Sequence, residues 1–497
     1  MPIRIYNFSI NTLATRKNRF FWYLPVFLFL TNVLWISRKF GNPTVEQFIF
    51  HVQFGIEGLN GYDKELVFNY FKNTVLGSLA YASIAILLEE FLLHKPITKL
   101  KNSREFIRLI IGNRIPLIIF ILASIIASTR FGVYAYLSTT STRDFIANNY
   151  VNPESIQIQP AKNPKNLLLI YIESMEFSYR REDIFGKNLI SQLDNISGLE
   201  FSKYPQMPGT GWTIAGIVST QCSIPLKPIA LADGNLQGEL LKEFLPKATC
   251  LGDTLKKLGY KNVFLGGASL DFAGKGKYFK THSYDKVVGK KSWLASQKYT
   301  IENMNDWGLH DDDLFTEALL ALKELSSNKK PFNLTLLTVD THFPKGFISK
   351  SCKELGVHNY LGIVECTSHL TCKFIQEAKK SGYLDNTNIV IIGDHLSMPT
   401  PAKQSLDKIE NRYIFNKWIS SQSFSPNRKE ITHFDIAPTI IEFLGHKIVG
   451  DRYGLGFSAL NKSDVEISKT RLDELYEGLN NRSDYYNQLW YRNKNNH

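Results

Sequence analysis

Apolar residues follow two different rhythms along this chain. Up to position 137 they form three long runs, Phe20 to Ser37, Thr74 to Leu93 and Ile115 to Leu137, each close to the roughly 20 residues that cross a bilayer as a helix. From Asn166 onward the apolar segments are short, end abruptly in polar residues and alternate with stretches of helical periodicity. Asn166 to Glu173, Asn262 to Leu265, Phe332 to His342 and Asn388 to His395 read as strands; Leu251 to Leu258, Asp312 to Leu325, Tyr360 to Lys380 and Phe434 to Leu444 read as helices. Such alternation predicts a largely parallel sheet covered by helices on both faces. Between the two regimes lie Ser138-Thr-Thr-Ser-Thr142 and Asn163-Pro-Lys-Asn166, a polar connection. The expected organisation is an α-helical membrane anchor over 1–140, a linker over 141–165, an α/β domain over 166–460 and a charged, Asn-rich surface tail over 461–497.

Charge orients the apolar runs. Arg16, Lys17 and Arg19 precede the first, and Lys95, Lys99, Lys101, Arg104, Arg108 and Arg114 fill the connection from second to third. The loop between first and second instead mixes Glu46, Glu57, Asp63 and Glu65 with few basic residues. The positive-inside rule then puts the N-terminus and the second loop in the cytoplasm and everything after the third run outside. A cleaved signal peptide is disfavoured, because no small-residue cleavage pattern follows the first run. Glu89, Glu90 and Arg130 fall within or beside apolar runs, so they must snorkel or face another helix. Phe48, Ile49, Val52 and Ile56 share one helical face, which predicts a short helix on the outer leaflet or against the spans. Sixteen basic against eight acidic residues through position 150 leave only +4 of the net +12 for the remainder. With no basic–aromatic tract, nucleic acid is not expected as a partner.

All five cysteines lie beyond residue 150, where an exported domain keeps disulfides. Cys366 and Cys372 fall in one predicted helix, about 9 Å of rise apart and out of bonding reach. The expected pairs are Cys222–Cys250 and Cys352–Cys366, with Cys372 free. A zinc site from these cysteine spacings is not expected, since there is no C-x2-C pair.

The strand ends carry the candidate chemistry. Three of them direct Glu173, His342 and the Asp394/His395 pair toward one rim, the usual place for chemistry in an open α/β sheet. Two carboxylates and an imidazole suit Mn, Mg or Zn with an open position for substrate. A nucleophile is offered by Met207-Pro-Gly-Thr-Gly-Trp-Thr213-Ile-Ala-Gly-Ile-Val-Ser-Thr-Gln-Cys222, a glycine turn running into a small-residue helix. A hydroxyl at the first turn of such a helix sits among unpaired N–H groups that favour phosphoryl oxygens, although Thr213 can equally be an N-cap.

The runs Gly-Thr-Gly-Trp-Thr213-Ile-Ala-Gly, Gln-Cys222-Ser-Ile-Pro, Tyr-Ile-Glu173-Ser, Val-Asp-Thr-His342-Phe-Pro and Gly-Asp394-His395 resemble the bacterial phosphoglycerol transferase I family. They resemble more distantly the lipoteichoic acid synthases and lipid A phosphoethanolamine transferases. The resemblance, over about residues 160 to 450, implies an alkaline-phosphatase-like, sulfatase-type domain on the outer face of the bacterial inner membrane. It implies Glu173, Thr213, Asp394 and His395 as a divalent-metal shell, with Mn2+ expected, Thr213 as a nucleophile that becomes phosphorylated, and His342 as the proton-handling residue. The donor implied is phosphatidylglycerol and the acceptor a hydroxyl of a periplasmic or cell-surface glycan. Where the lipoteichoic acid enzymes carry substrate-binding His, Trp and Arg, this chain has Asp271, Phe272 and Lys275; Lys275 is expected to supply a phosphate cation and Phe272 a packing surface. Trp307-Gly-Leu-His-Asp311 also matches a family segment and is read mainly as structural.

Four rivals stand beside this reading. Sulfatase chemistry needs its oxidisable residue in a C/S-x-P-x-R context, which Cys222-Ser-Ile-Pro-Leu lacks. A two-metal phosphatase needs a further shell, for which His433 and Asp435 are the only obvious pair. Phosphoethanolamine transfer from phosphatidylethanolamine uses the same core residues and is the alternative enzyme. A membrane-tethered pseudoenzyme that binds glycan or lipid is the non-enzymatic alternative.

Overall fold

The computed structural model describes residues 10–40, 43–53, 64–94, 101–138, 144–228, 242–460 and 469–491. The chain divides into two compact units: Met1–Val45 with Tyr62–Ser138, and Glu46–Gly61 with Thr139–His497.

The first unit contains three helical stretches long and apolar enough to cross a membrane, Arg19–Phe40, Val67–Glu89 and Arg114–Phe131. The second starts before the expected Thr74, through a π-helical turn at Phe71–Leu76, and the third stops at Phe131, where Gly132 turns left-handed. The charged residues in the apolar runs have partners. Arg19 Nη1 donates to Glu89 Oε1 at 2.5 Å, and Arg130 Nη1 to Ser37 Oγ at 2.9 Å. The Glu90 side chain lies outside the described residues.

The second unit is built on strands β1 (Ile158–Gln159), β2 (Asn166–Ile172), β3 (Lys261–Gly266), β4 (Lys286–Val288), β5 (Phe332–Leu337), β6 (Thr387–Gly393), β7 (Asn416–Ile419) and β8 (Lys447–Ile448). Six of them form one sheet in the order β4-β3-β5-β2-β6-β7, parallel except for β7. The sheet is therefore mostly parallel, as the alternation of strands and helices indicates. The β2 residues Leu167 through Ile172 are all fully buried, because a parallel sheet covered on both faces hides odd and even positions alike. Leu167, Leu169 and Tyr171 pack in one core with the helices Thr213–Cys222 and Ile436–Phe443; Leu168, Ile170 and Ile172 pack in the other with Asp311–Ser326 and Tyr360–Lys380. Each buried Leu or Ile contributes about 1.5–3 kcal/mol by leaving water. Cys222–Cys250 and Cys352–Cys366 are bonded, and Cys372 is free and buried.

Three segments differ from their sequence-based expectations. The helix Val45–Gln53 has its Phe50 in the core of the second unit, against Trp212 and Phe244, because that face meets an aromatic pocket. The side chain of Val52 and residue Ile56 lie outside the described residues. Much of the expected linker is folded: Asp144 caps the helix Phe145–Asn149, and β1 pairs antiparallel with β8. The expected surface tail buries Leu475, Leu479, Tyr486 and Trp490 from its helices Lys469–Asn480 and Asp484–Gln488 and the residues just after them, while 461–468 and 492–497 lie outside the described residues.

Candidate active site

The register of the central strands brings the chemical residues to one end of the sheet. Ile172 of β2 pairs with Gly393 of β6, and Tyr171 with Leu337 of β5, so Glu173, the 338–342 turn and Asp394 leave the sheet side by side. Close backbone approach demands glycine here. A Cβ on Gly393 would lie 2.0 Å from the Met175 carbonyl oxygen, and one on Gly216 would lie 2.0 Å from that of Asp394. The latter seats the helix Thr213–Cys222 directly on the Asp394 turn.

That helix starts cleanly. Gly209 takes a left-handed φ of +75°, and Thr210 braces the turn by donating its hydroxyl to the Met207 carbonyl at 2.7 Å and accepting the Met207 N–H at 3.1 Å. Trp212 is extended and provides no capping acceptor, so Thr213 enters the helix beside first-turn N–H groups that its cap does not satisfy. The Thr213 hydroxyl donates to Glu173 Oε2 at 3.2 Å. Ser174 donates to the other Glu173 oxygen at 2.9 Å, and Thr341 to the Glu173 carbonyl at 2.6 Å.

Asp394 and His395 complete the cluster. Asp394 Oδ1 accepts the N–H groups of Ser174 at 2.8 Å and His395 at 2.9 Å, while Oδ2 has no hydrogen-bond donor. His395 Nδ1 bonds the Leu396 carbonyl at 2.8 Å, leaving Nε2 between Glu173 Oε1 at 3.3 Å and Asp394 Oδ2 at 3.4 Å. Glu173, Asp394 and His395 are buried and offer ligand atoms all within 4.8 Å of one another.

Two buried carboxylates need compensating positive charge. Burial, then the Glu173 charge, pushes Asp394 up to about 8. Burial also acts to raise Glu173, but His342 and His395 outweigh it and hold that carboxyl low. Burial opposes protonation of His395, yet Asp394 and Glu173 carry it up to about 10. Nε2, between Glu173 Oε1 and Asp394 Oδ2, thus faces a place where positive charge is favoured. A donorless carboxylate oxygen, a second carboxylate and an imidazole fixed through its other nitrogen fit a divalent cation. The other cluster with ligand spacing among the described residues is Cys222, Cys250 and His282. Its sulfurs are bonded to each other, and His282 is engaged with Asp253 and the Phe244 carbonyl.

His342 lies at the same end. Its Nδ1 bonds the Phe343 carbonyl at 2.8 Å, and its ring stands between Trp307, 4.1 Å between centroids, and Phe343 at 4.7 Å. Burial pushes His342 down, and the Glu173 charge pulls it partly back. Trp307 therefore contacts His342 directly, besides preceding the helix that Asp311 opens. Phe272 packs edge-on against Trp307 at 5.2 Å, and the Lys275 ammonium sits 5.0 Å over the Phe272 ring. Burial brings Lys275 down to about 8 against the opposing pull of Glu173 and Asp394. Asp271 is half-exposed and paired with Lys291 at 2.6 Å, outside this stack. His433 packs on Tyr204 and is held neutral, pushed by burial to about 3. Asp435 is occupied as a cap, accepting the N–H and hydroxyl of Thr432, so this pair forms no second metal shell. Ser174, Thr341 and Gln206, which accepts the Leu396 N–H at 2.8 Å, hold the site in place. Nothing in their sequence context distinguishes them from ordinary turn residues.

The residues 165–446 match the family model described as Sulfatase. Phosphoglycerol transferase I of Salmonella arizonae is 35% identical over 371 residues, 71% of this chain and 46% of that protein. Phosphoglycerol transferase I of Shigella flexneri is 36% identical over 360 residues, 68% of this chain and 45% of that protein. A solved protein of the alkaline phosphatase superfamily from Vibrio parahaemolyticus aligns with a TM-score of 0.49 at 19% identity, covering 73% of this chain and 98% of that one. The chain thus spans less than half the length of the curated relatives described here. The matched span runs from just before β2 to the end of the helix that precedes β8, and over it the chain belongs to the sulfatase family.

Proposed function

We propose that this protein is a phosphoglycerol transferase that moves glycerol phosphate from phosphatidylglycerol to a hydroxyl of a periplasmic or cell-surface glycan. The observation that carries the reading is the Thr213 hydroxyl on Glu173, whose carboxylate lies with buried Asp394 and His395 in a group of ligand atoms all within 4.8 Å of one another. The names of the curated relatives support the same class of reaction. In this reading the three helices span the bacterial inner membrane and the second unit lies in the periplasm, within reach of lipid headgroups.

Glu173, Thr213, Asp394 and His395 would hold the divalent ion, with Mn2+ as the favoured identity. When bound, it would lower the pKa of the hydroxyl and neutralise charge on the phosphoryl oxygens. Thr213 Oγ attacks phosphorus, the diacylglycerol O–P bond breaks, and a phosphothreonine ester forms. Thr213 enters the step with its proton already lost to bulk water and His342 enters it protonated, and His342 gives its proton to the departing diacylglycerol. In the second step His342 takes the acceptor hydroxyl's proton as that oxygen displaces the Thr213 oxygen, which returns both residues to their starting states. Lys275 supplies a cation to the phosphate and Phe272 packs against the headgroup. Trp307 holds the His342 ring, and Asp271 stands at the edge of the substrate region.

Intact mass of the full-length chain in detergent, after incubation with Mn2+ and phosphatidylglycerol, tests this directly. A glycerol phosphate adduct on wild type and none on Thr213→Ala is the expected result. An ethanolamine phosphate adduct formed only from phosphatidylethanolamine would replace the donor. No adduct from either lipid would leave the pseudoenzyme reading.

A further inference from the structure

The helix Val45–Gln53 connects the first two apolar stretches in sequence, yet its core-facing residue belongs to the second unit. Phe50 is fully buried, with ring centroids 5.9 Å from Trp212 and 6.3 Å from Phe244. Phe244 in turn packs on Tyr278 and Trp490, so Phe50 closes an aromatic cluster rather than resting on a surface. A second tie lies four residues earlier, where the Glu46 carboxylate stands 3.7 Å from the ammonium of buried Lys227. That ammonium also donates to the Asn481 carbonyl at 2.7 Å.

Trp212 is the point of contact that matters. It is the extended N-cap residue immediately before Thr213. Its backbone carbonyl receives the Gly216 N–H at 2.9 Å, so Trp212 is bonded into the first turn of the helix that carries the hydroxyl. The Thr213–Glu173 bond at 3.2 Å leaves little tolerance for such a shift.

We infer that Phe50, in the segment joining two membrane-spanning stretches, is a positioning residue for the reaction: it holds Trp212 and, through it, the Thr213 hydroxyl. The inference rests on the proposed reading of Thr213 as nucleophile. Phe50 touches neither lipid nor metal in this role, so it governs the rate of the bound complex and not the affinity for the donor.

The test compares full-length wild type, Phe50→Leu and Phe50→Ala in detergent. It follows the single-turnover rate of Thr213 adduct formation across phosphatidylglycerol concentrations, with thermal unfolding measured alongside. The expected result is a maximal rate lowered about 10- to 100-fold in Phe50→Ala, an unchanged half-saturating lipid concentration, and most of the rate restored by Phe50→Leu. A maximal rate within about twofold of wild type in folded Phe50→Ala overturns the inference. If Phe50→Ala does not fold, Phe50→Val takes its place, and a maximal rate within about twofold of wild type in the folded variant overturns the inference. A wild type that forms no adduct with any phospholipid removes the nucleophile reading, and the inference with it. A wild-type adduct formed at equal rate in both variants removes the inference alone.

Discussion

Two buried histidine–carboxylate clusters sit at the same end of the sheet, and they are put together in opposite ways. In the first, Asp340 accepts from His310 Nδ1 at 2.7 Å, from Asn305 at 2.9 Å and from the Asp311 N–H at 3.0 Å. Asp311 accepts the Val339 N–H at 2.7 Å on one oxygen and the Asp340 N–H on both at 3.3 Å. Every carboxylate oxygen there has a donor from the protein. In the second, Asp394 Oδ2 has none and a hydroxyl faces Glu173. The lesson is that burial of acids does not itself mark a reactive centre. A cluster that satisfies itself supports the turn leading to His342, whereas the one left short of donors is, in the proposed reading, the one that takes a cation and a substrate.

The largest expected effect separates the two. In the proposed reading Asp394→Asn removes a ligand oxygen of the metal shell, so it should lower adduct formation about 100-fold or more and abolish the rise in unfolding temperature expected of wild type with Mn2+. A retained Mn2+ shift in this variant would break the comparison. Asp340→Asn should do the converse. It puts an amide N–H where a carboxylate oxygen accepts from His310 and Asn305 or from the Asp311 N–H, leaving a buried donor unsatisfied at a cost of about 2 kcal/mol of stability, while the Mn2+ shift persists; denaturant unfolding with and without the ion reads both.

A smaller effect is pH dependence of the self-satisfied cluster. Burial and the neighbouring Asp340 push Asp311 well above the ordinary carboxylate range, and burial raises Asp340 despite His310. Because these folded values exceed the unfolded one of 3.8, the associated stability is complete below about pH 4 and is lost as pH rises through the raised values. Asp311→Asn keeps an amide oxygen for the Val339 N–H and should flatten that decline, as measured by unfolding across pH. The smallest effect belongs to Asp271→Asn. Its pair with exposed Lys291 is worth at most about 1 kcal/mol, and transfer should stay within about twofold; a larger loss of rate would draw Asp271 into the substrate site.

Much of this was legible in the chain because strands of a covered parallel sheet must be continuously apolar. The β2, β5 and β6 runs end in Glu173, the 338–342 turn and Asp394, and the eye is drawn to polar residues where packing stops. The short β4 and the antiparallel edge strand β7 left no such mark, since three or four residues carry too little periodicity. The Trp307 segment reads mainly as structural in sequence because its contact with His342 joins residues 35 positions apart, a distance that local pattern cannot span.

Sequence alone determined the two regimes of the chain, the strand-end acids, the glycine turn before Thr213 and the cysteines available for bonding. Each follows from local hydrophobicity, backbone freedom or residue chemistry. Tertiary structure alone decided that Asp394 Oδ2 lacks a donor while all four oxygens of Asp311 and Asp340 have one. It alone decided too that Phe50 reaches across the chain to Trp212. Hydrogen-bond satisfaction and aromatic packing depend on which distant segments meet, and only the folded sheet brings those segments together.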